Sequence, residues 1–334
     1  MATQPPPDTL ASDPLTTWLL DADPALRWQV ERDLLGVGDD VWQATRARVP
    51  LEGFGAQLLA RQDADGQWAG GAYFPGRPDL GDVVVVGDPE AQPWVATLWA
   101  LCHLREWGVD AEVLGDTGAR LARNCTWEYE DLPFWSGEVD VCINAHTLSN
   151  GDWLGRDMSG MVRWFGEHQL PDGGWNCWWP SGSTRSSFLS TLGTVIALLD
   201  HEQRTGDPST VEMRHRGEEY LAERQLLYRK RDGERVGDWV AEFVSPPRYQ
   251  YSALRALDHF RAASQHDQVA PDPRLADAVD LVRAKRGPDG RWLQDGPLDG
   301  IVWFETDAPH GEPSRWLTLQ GARVLAWWDD HAEQ

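Results

Sequence analysis

The 334-residue sequence contains no uninterrupted apolar run of the roughly eighteen residues that a membrane-spanning helix needs. Basic charge is also short: 30 Lys and Arg against 53 Asp and Glu leave a formal net charge of −23. Such a surface repels phosphate backbones and anionic headgroups, which argues against nucleic acid and polybasic membrane docking. Cysteine is scarce. The four present (Cys102, Cys125, Cys142 and Cys177) have no close-paired spacing, so free thiols in a reduced, cytoplasmic setting are expected. Positions 1–13 are proline-rich and lack a basic region and an apolar core. They are expected to be a disordered tail rather than a signal peptide. Strand signals are thin: Val83 to Val86 is an isolated β-branched run, expected as an ordered loop or short hairpin. No Ser-His-Asp order, phosphate-binding glycine loop or dinucleotide fingerprint stands out, so nucleotide and flavin cofactors are not indicated.

What the chain does have is tryptophan, twenty of them, and a phrase that returns three times. Its copies are Gln62-Asp63-Ala64-Asp65-Gly66-Gln67-Trp68, Gln169-Leu170-Pro171-Asp172-Gly173-Gly174-Trp175 and Lys285-Arg286-Gly287-Pro288-Asp289-Gly290-Arg291-Trp292. Each reads as the end of a helix, an Asp-Gly turn, then a tryptophan. Such a repeat implies stacked supersecondary units, with a site to be sought where units meet. Apolar residues at spacings of three and four predict helices over 94–107, 158–168, 188–202, 211–224, 249–261, 273–286 and 316–330. The stretch 15–35 reads as two short helices split near Ala22-Asp23-Pro24, the proline starting the second. No interdomain linker is visible.

Several of these helices open on an aromatic residue followed three positions later by a hydroxyl residue: Trp94 and Thr97, Phe188 and Thr191, Tyr249 and Ser252, and more loosely Trp316 and Thr318. Midway between the first two starts, Cys142 takes the place that an aromatic holds elsewhere. Equivalent starts pointing one way would gather helix N-termini on one rim, favourable to an anion. Arg185, Arg248 and Arg315 fall beside three of those starts. They read either as a cationic rim for a ligand headgroup or as partners of acidic neighbours.

The Gln-x-x-Asp-Gly-x-Trp phrases, their tryptophan-rich flanks and the alternating helices resemble the repeat of squalene and hopene cyclases and of protein prenyltransferase β-subunits. The length and the Pro-Pro-Arg-Tyr and Pro-Ser-Arg-Trp segments look most like the small stand-alone bacterial cyclase-like chains. The resemblance implies an all-α fold, an α/α toroid of inner and outer helices over 51–334, with 14–50 as a helical cap. Cyclases of this fold protonate an alkene with the central acid of an Asp-x-Asp-Asp motif. That motif is absent here, which disfavours proton-initiated squalene cyclisation. The prenyltransferases use a zinc site built on Asp-x-Cys, and Asp140-Val141-Cys142 matches it. His146, one turn on, and Cys177, in the adjoining joint, are the further candidate ligands. For the family's distant histidine, His201, His259 and His310 qualify by order only. The alternative for Cys142 and Cys177 is that of small buried apolar residues.

Trp68, Trp175 and Trp292 are expected to brace joints. Trp178, Trp179 and Trp303, outside the motif, are the better candidates for a pocket wall, together with Tyr249. His310, in a loop before the Arg315 start, is a candidate acid or base, though such a histidine is more often simply exposed. The resulting expectation is a terpenoid cyclase- or prenyltransferase-like enzyme. It would take a hydrophobic, isoprenoid-like substrate into an aromatic cavity, with Asp140 as metal ligand or acid and Cys142 as metal ligand or nucleophile. A divalent metal such as zinc is the cofactor this implies. The alternative is a non-catalytic toroid that binds a lipid or a protein partner, or one plugged by its own tryptophans.

Overall fold

The computed structural model describes residues 13–332. The expected tail lies outside these residues except for Asp13, which caps the first helix by accepting a hydrogen bond from the Thr16 amide at 3.1 Å. Among the described residues the fold is mostly helical. Thirteen α-helices run in order: α1 (Pro14–Leu20), α2 (Pro24–Asp33), α3 (Asp39–Arg46), α4 (Gly53–Leu59), α5 (Thr97–Glu106), α6 (Thr117–Asn124), α7 (Val141–Trp153), α8 (Ser159–His168), α9 (Phe188–Thr205), α10 (Val211–Ala222), α11 (Ala253–Asp267), α12 (Ala276–Ala284) and α13 (Arg315–Ala332). Asp23 caps α2 at the predicted break and Pro24 opens it. None of the helices is long and apolar enough to cross a membrane.

The few strands are short. β1 (Val84–Val86) pairs antiparallel with β3 (Gly300–Val302), and β2 (Trp292–Leu293) with β4 (Pro313–Ser314). The valine run is therefore no hairpin. It finds its partner more than two hundred residues away, a pairing that local sequence cannot encode. The predicted helix from Tyr249 also begins later than its pattern suggests. Arg248 adopts a left-handed φ of 51°, and Ser252 caps α11 by accepting from the Arg255 amide.

Alternate helices pack in series, α5 on α7, α7 on α9, α9 on α11 and α11 on α13, and α13 returns to α2. α10 packs against α9, and α12 against α11 and α13. Ion pairs also join these helices: Arg323 of α13 binds Asp258 of α11 and reaches Asp33 of α2 at 2.9 Å. Leu319 of α13 completes a small core with Leu19, Leu26 and Val30.

The repeated phrase makes the same structure each time. Trp68, Trp175 and Trp292 are all fully enclosed. Each indole N–H donates to a helix carbonyl ten residues back, on Leu58, Phe165 and Val282, at 2.8–2.9 Å. Each backbone amide donates at 3.1 Å to a threonine hydroxyl, on Thr97, Thr191 and Thr318 respectively. Those threonines are the hydroxyl residues of the second periodicity, so the two sequence patterns are the two halves of one joint. The turn glycines (Gly66, Gly173, Gly290) take φ of 84° to 98°, which a side chain would strain. A Cβ on Gly217 or Gly321 would come within 2.7 Å of the Trp175 or Trp292 ring.

Candidate functional site

A cavity of about 840 Å³ opens between the 172–189 joint, the end of α10 and the segments 229–242 and 249–251. Its floor is aromatic. Phe188 sits edge-on to Tyr251 at 5.2 Å and to Trp239 and Tyr220 at 6.0 Å, and Trp239 meets Tyr251 at 5.4 Å. The tyrosine hydroxyls are turned into the protein: Tyr220 donates to the Ser186 carbonyl at 2.7 Å and Tyr251 to the Leu226 carbonyl at 2.8 Å. That leaves ring faces and edges, with Leu189 and Val236, to line an apolar space.

The rim is basic. Arg185, Arg224, Arg229, Lys230 and Arg231 line it, against Asp172 and Glu242, in a chain whose acidic residues far outnumber its basic ones. Arg185 is exposed; its carbonyl accepts from Asn176 at 2.7 Å and Ser183 at 3.2 Å, while its guanidinium has no hydrogen-bonded or ionic partner among the described residues. Arg229 and Arg231 share Asp232 through their Nε atoms at 3.0 and 2.8 Å, and their Nη groups make no hydrogen bond among the described residues. Lys230 and Arg224 share Glu223, and Arg224 also lies 3.7 Å over the Tyr220 ring.

The basic segment is itself a joint that sequence reading missed. The Arg229 amide donates to the Glu234 carbonyl at 2.8 Å around Asp232-Gly233. The corresponding bonds in the tryptophan joints run from Asp63, Leu170 and Gly287 to the carbonyl four residues on. Here the turn is one residue longer, and Arg235, followed by Val236, stands where the others carry tryptophan. The Asp-Gly pair was the available signal; the missing tryptophan hid it.

Beside this cavity lies the Asp140 cluster. Asp140 is the residue before α7 and is half-buried; burial pushes its carboxyl up, against a hydrogen bond with Cys177 that lowers it. Cys142, in the first turn of α7, and Cys177, in the next joint, have their Sγ atoms 3.5 Å apart. They are free thiols. Cys142 and Ser190, the latter at 3.3 Å, are hydrogen-bonded to the Cys177 sulfur. The Cys142 bond, with some help from Ser190 and against burial, brings Cys177 down to about 7, while the same contact and burial raise Cys142. Ser187, on the cavity wall, continues the chain by donating to Ser190 at 2.9 Å. On the other side Tyr249, also on the wall, is raised by burial and then by Cys142.

The four expected zinc ligands do not assemble. Among the described residues, three ligand atoms come within 4.8 Å of one another at His215, Glu218 and Asp267, not at Asp140, Cys142, His146 and Cys177. His146 turns away from the thiols and sits edge-on to Trp99 at 5.7 Å. Burial, then the charges of Arg255 and Arg105, depress it to about 3. Of the distant histidines, His201 and His259 are held by Asp152 at 2.8 Å and Glu218 at 2.9 Å. His310 is exposed in its loop.

The predicted arginine rim also separates into three environments. Arg185 lines the cavity. Arg248 is buried against His103 and over the Trp94 and Trp99 rings, 5.1 and 5.9 Å from their centroids, and burial lowers it to about 10. Arg315 braces the first hairpin, donating to the Trp18 carbonyl at 3.1 Å and lying over that ring. The helix starts are equivalent, but the side chains near them extend in the directions their own neighbours dictate.

The pocket aromatics divide similarly. Tyr249 lines the cavity and packs on Trp94 and Trp99. Trp303 is buried and donates to the Val95 carbonyl at 3.0 Å, beside a separate small void. Trp179 is anchored to the Val139 carbonyl at 2.9 Å, next to Asp140. Trp178 is 71% exposed and lines no part of the cavity. Sequence reading missed Phe188, Tyr220, Trp239 and Tyr251 as one cluster, because they come from four elements.

No protein-family model and no curated protein matches the sequence. Among solved structures the chain is similar to a protein from Actinoplanes, at 17% identity and a TM-score of 0.43, over 94% of this chain and 91% of that one. A likeness of that degree carries no argument about fold or chemistry.

Proposed function

We propose that this chain binds an amphiphile with an anionic head and an apolar, isoprenoid-like body in the 840 Å³ cavity, and acts on it in the manner of prenyl-transferring or cyclising enzymes. The observation that carries the reading is the cavity's composition: an aromatic floor under a rim of five cations in a strongly acidic chain. Its volume falls in the range of about 300–1,000 Å³ usual for small-molecule sites. Guanidinium groups with free Nη donors suit phosphate or carboxylate oxygens, and ring faces suit a hydrocarbon. An α/α toroid is part of this proposal, supported by the serial packing of alternate helices and the return of α13 to α2. For chemistry, Asp140 is the candidate acid, since burial favours its protonated form beside the cavity wall.

Titration of intrinsic tryptophan fluorescence with farnesyl diphosphate, farnesol and inorganic diphosphate tests the binding step, because Trp239 stands in the wall. The diphosphate with its tail is expected to bind at least about tenfold tighter than either part alone, a difference of about 1.4 kcal/mol. Equal binding of farnesol would remove the anionic head from the reading, and binding of none would remove the ligand class. Asp140→Asn is then expected to keep binding and lose turnover. Binding by the wild type with no product formed would leave the non-catalytic alternative.

A further inference from the structure

The four thiols fall into two kinds. Cys102 and Cys125 are each 3% exposed and have no neighbouring thiol among the described residues; Cys102 accepts from Asn150 Nδ2 at 3.4 Å. Cys142 and Cys177 are only half-buried and sit 3.5 Å apart, although thirty-five residues separate them in sequence. The two are held differently. Cys142 is fixed in the first turn of α7, whereas Cys177 belongs to the irregular joint before the short 3-10 turn Trp179–Ser181. Disulfide formation needs the sulfurs to close to about 2.05 Å, a movement of about 1.5 Å that the joint, rather than the helix, can make.

We infer that Cys142 and Cys177 form a redox-active dithiol site whose co-substrate class is a low-molecular-weight disulfide. In the first step the Cys177 sulfur attacks the small disulfide, RSSR. A protein–SR bond forms, the S–S bond breaks, and one RSH leaves with the Cys177 proton. In the second step the Cys142 sulfur attacks Cys177 Sγ, the internal disulfide forms, and a second RSH leaves with the Cys142 proton. Two protein thiols are oxidised and one small disulfide is reduced to two thiols. The new bond ties the start of α7 to the joint carrying Trp179, which the Trp179–Val139 hydrogen bond already holds in place. This inference is independent of the ligand proposed for the cavity.

The test equilibrates the full chain in glutathione–glutathione disulfide buffers of increasing oxidation, blocks the remaining thiols by alkylation, and maps tryptic peptides. Cys142 lies on peptide 124–156 and Cys177 on peptide 164–185. Cys125 shares the first of these, so Cys125→Ala is run beside the wild type, whose fragment spectra locate the link if that variant fails to fold. Expected is the joint loss of two of the four thiols, with these two peptides linked. Cys177→Ser, checked for native circular dichroism, is expected to form no internal link. A folded wild type that keeps both thiols, carries unresolved glutathione on either, or links another pair would overturn the inference.

Discussion

The joint built around Trp175 and the joint at 229–236 share an Asp-Gly turn and come out differently. At Trp175 the ring sits between α8, α9 and α10, its indole N–H and backbone amide are both satisfied, and it is fully enclosed. At 229–236 the turn is one residue longer, the ring is missing, and Arg229, Lys230, Arg231 and Val236 line the cavity. Charge follows the same division. Arg214, on α10, is fully buried and meets Glu202, Glu218 and Asp267 at 2.8–2.9 Å. The cavity cations lean on two exposed carboxylates and keep donors in reserve. The Trp175 ring thus has its polar groups paired internally, whereas the cavity wall presents guanidinium donors, as a ligand site would.

The comparison can be broken most forcefully at its closed side. Arg214→Leu strands three carboxylates and is expected to cost about 3–5 kcal/mol of stability, read from urea denaturation. Trp175→Ala is expected to fall in the same range, about 3–5 kcal/mol, because a fully enclosed ring is removed. A loss below about 1 kcal/mol in either would mean that the closed joints do not hold the fold. On the open side, Val236→Trp puts a ring into the cavity that Val236 lines. Prenyl diphosphate affinity should drop about a hundredfold, while stability moves by no more than about 2 kcal/mol. Retained affinity would show that the cavity is not the binding site. The pair Arg229→Gln and Arg231→Gln should weaken the same ligand about tenfold and leave the melting temperature within a few degrees, as exposed ion pairs contribute little.

The smallest effect concerns pH. Burial alone would raise the Asp258 carboxyl, but Arg323 and Arg261 outweigh it and hold it at about 2. A folded value below the ordinary 3.8 means stability that is complete above that pH and lost as pH falls towards about 2. Arg323→Leu should therefore move the acid unfolding midpoint to higher pH, followed by circular dichroism. An unchanged midpoint would remove Asp258 from acid stability.

Much of the closed architecture was legible because its signals are local. Pro24 after Asp23, the Asp-Gly turns with their tryptophans, and the hydroxyl residues at helix starts each act within a turn or two, and the structure uses them as such. The site was legible only in pieces. Arg185, Tyr249, Asp140, Cys142 and Cys177 were found one at a time. The direction in which Arg248, Arg315 and His146 extend depends on Trp94, Trp18 and Trp99, neighbours that no spacing rule supplies.

The sequence by itself determined that the chain is mostly helical, where the Asp-Gly turns fall and that their three tryptophans are interior, since these follow from glycine conformations and apolar periodicity. Tertiary structure alone decided that Val84–Val86 pairs with Gly300–Val302, that Cys142 meets Cys177, and that the tryptophan-less joint becomes a basic, aromatic cavity. Each of these joins residues from separate elements. Their energies belong to contacts that exist only after the helices have packed.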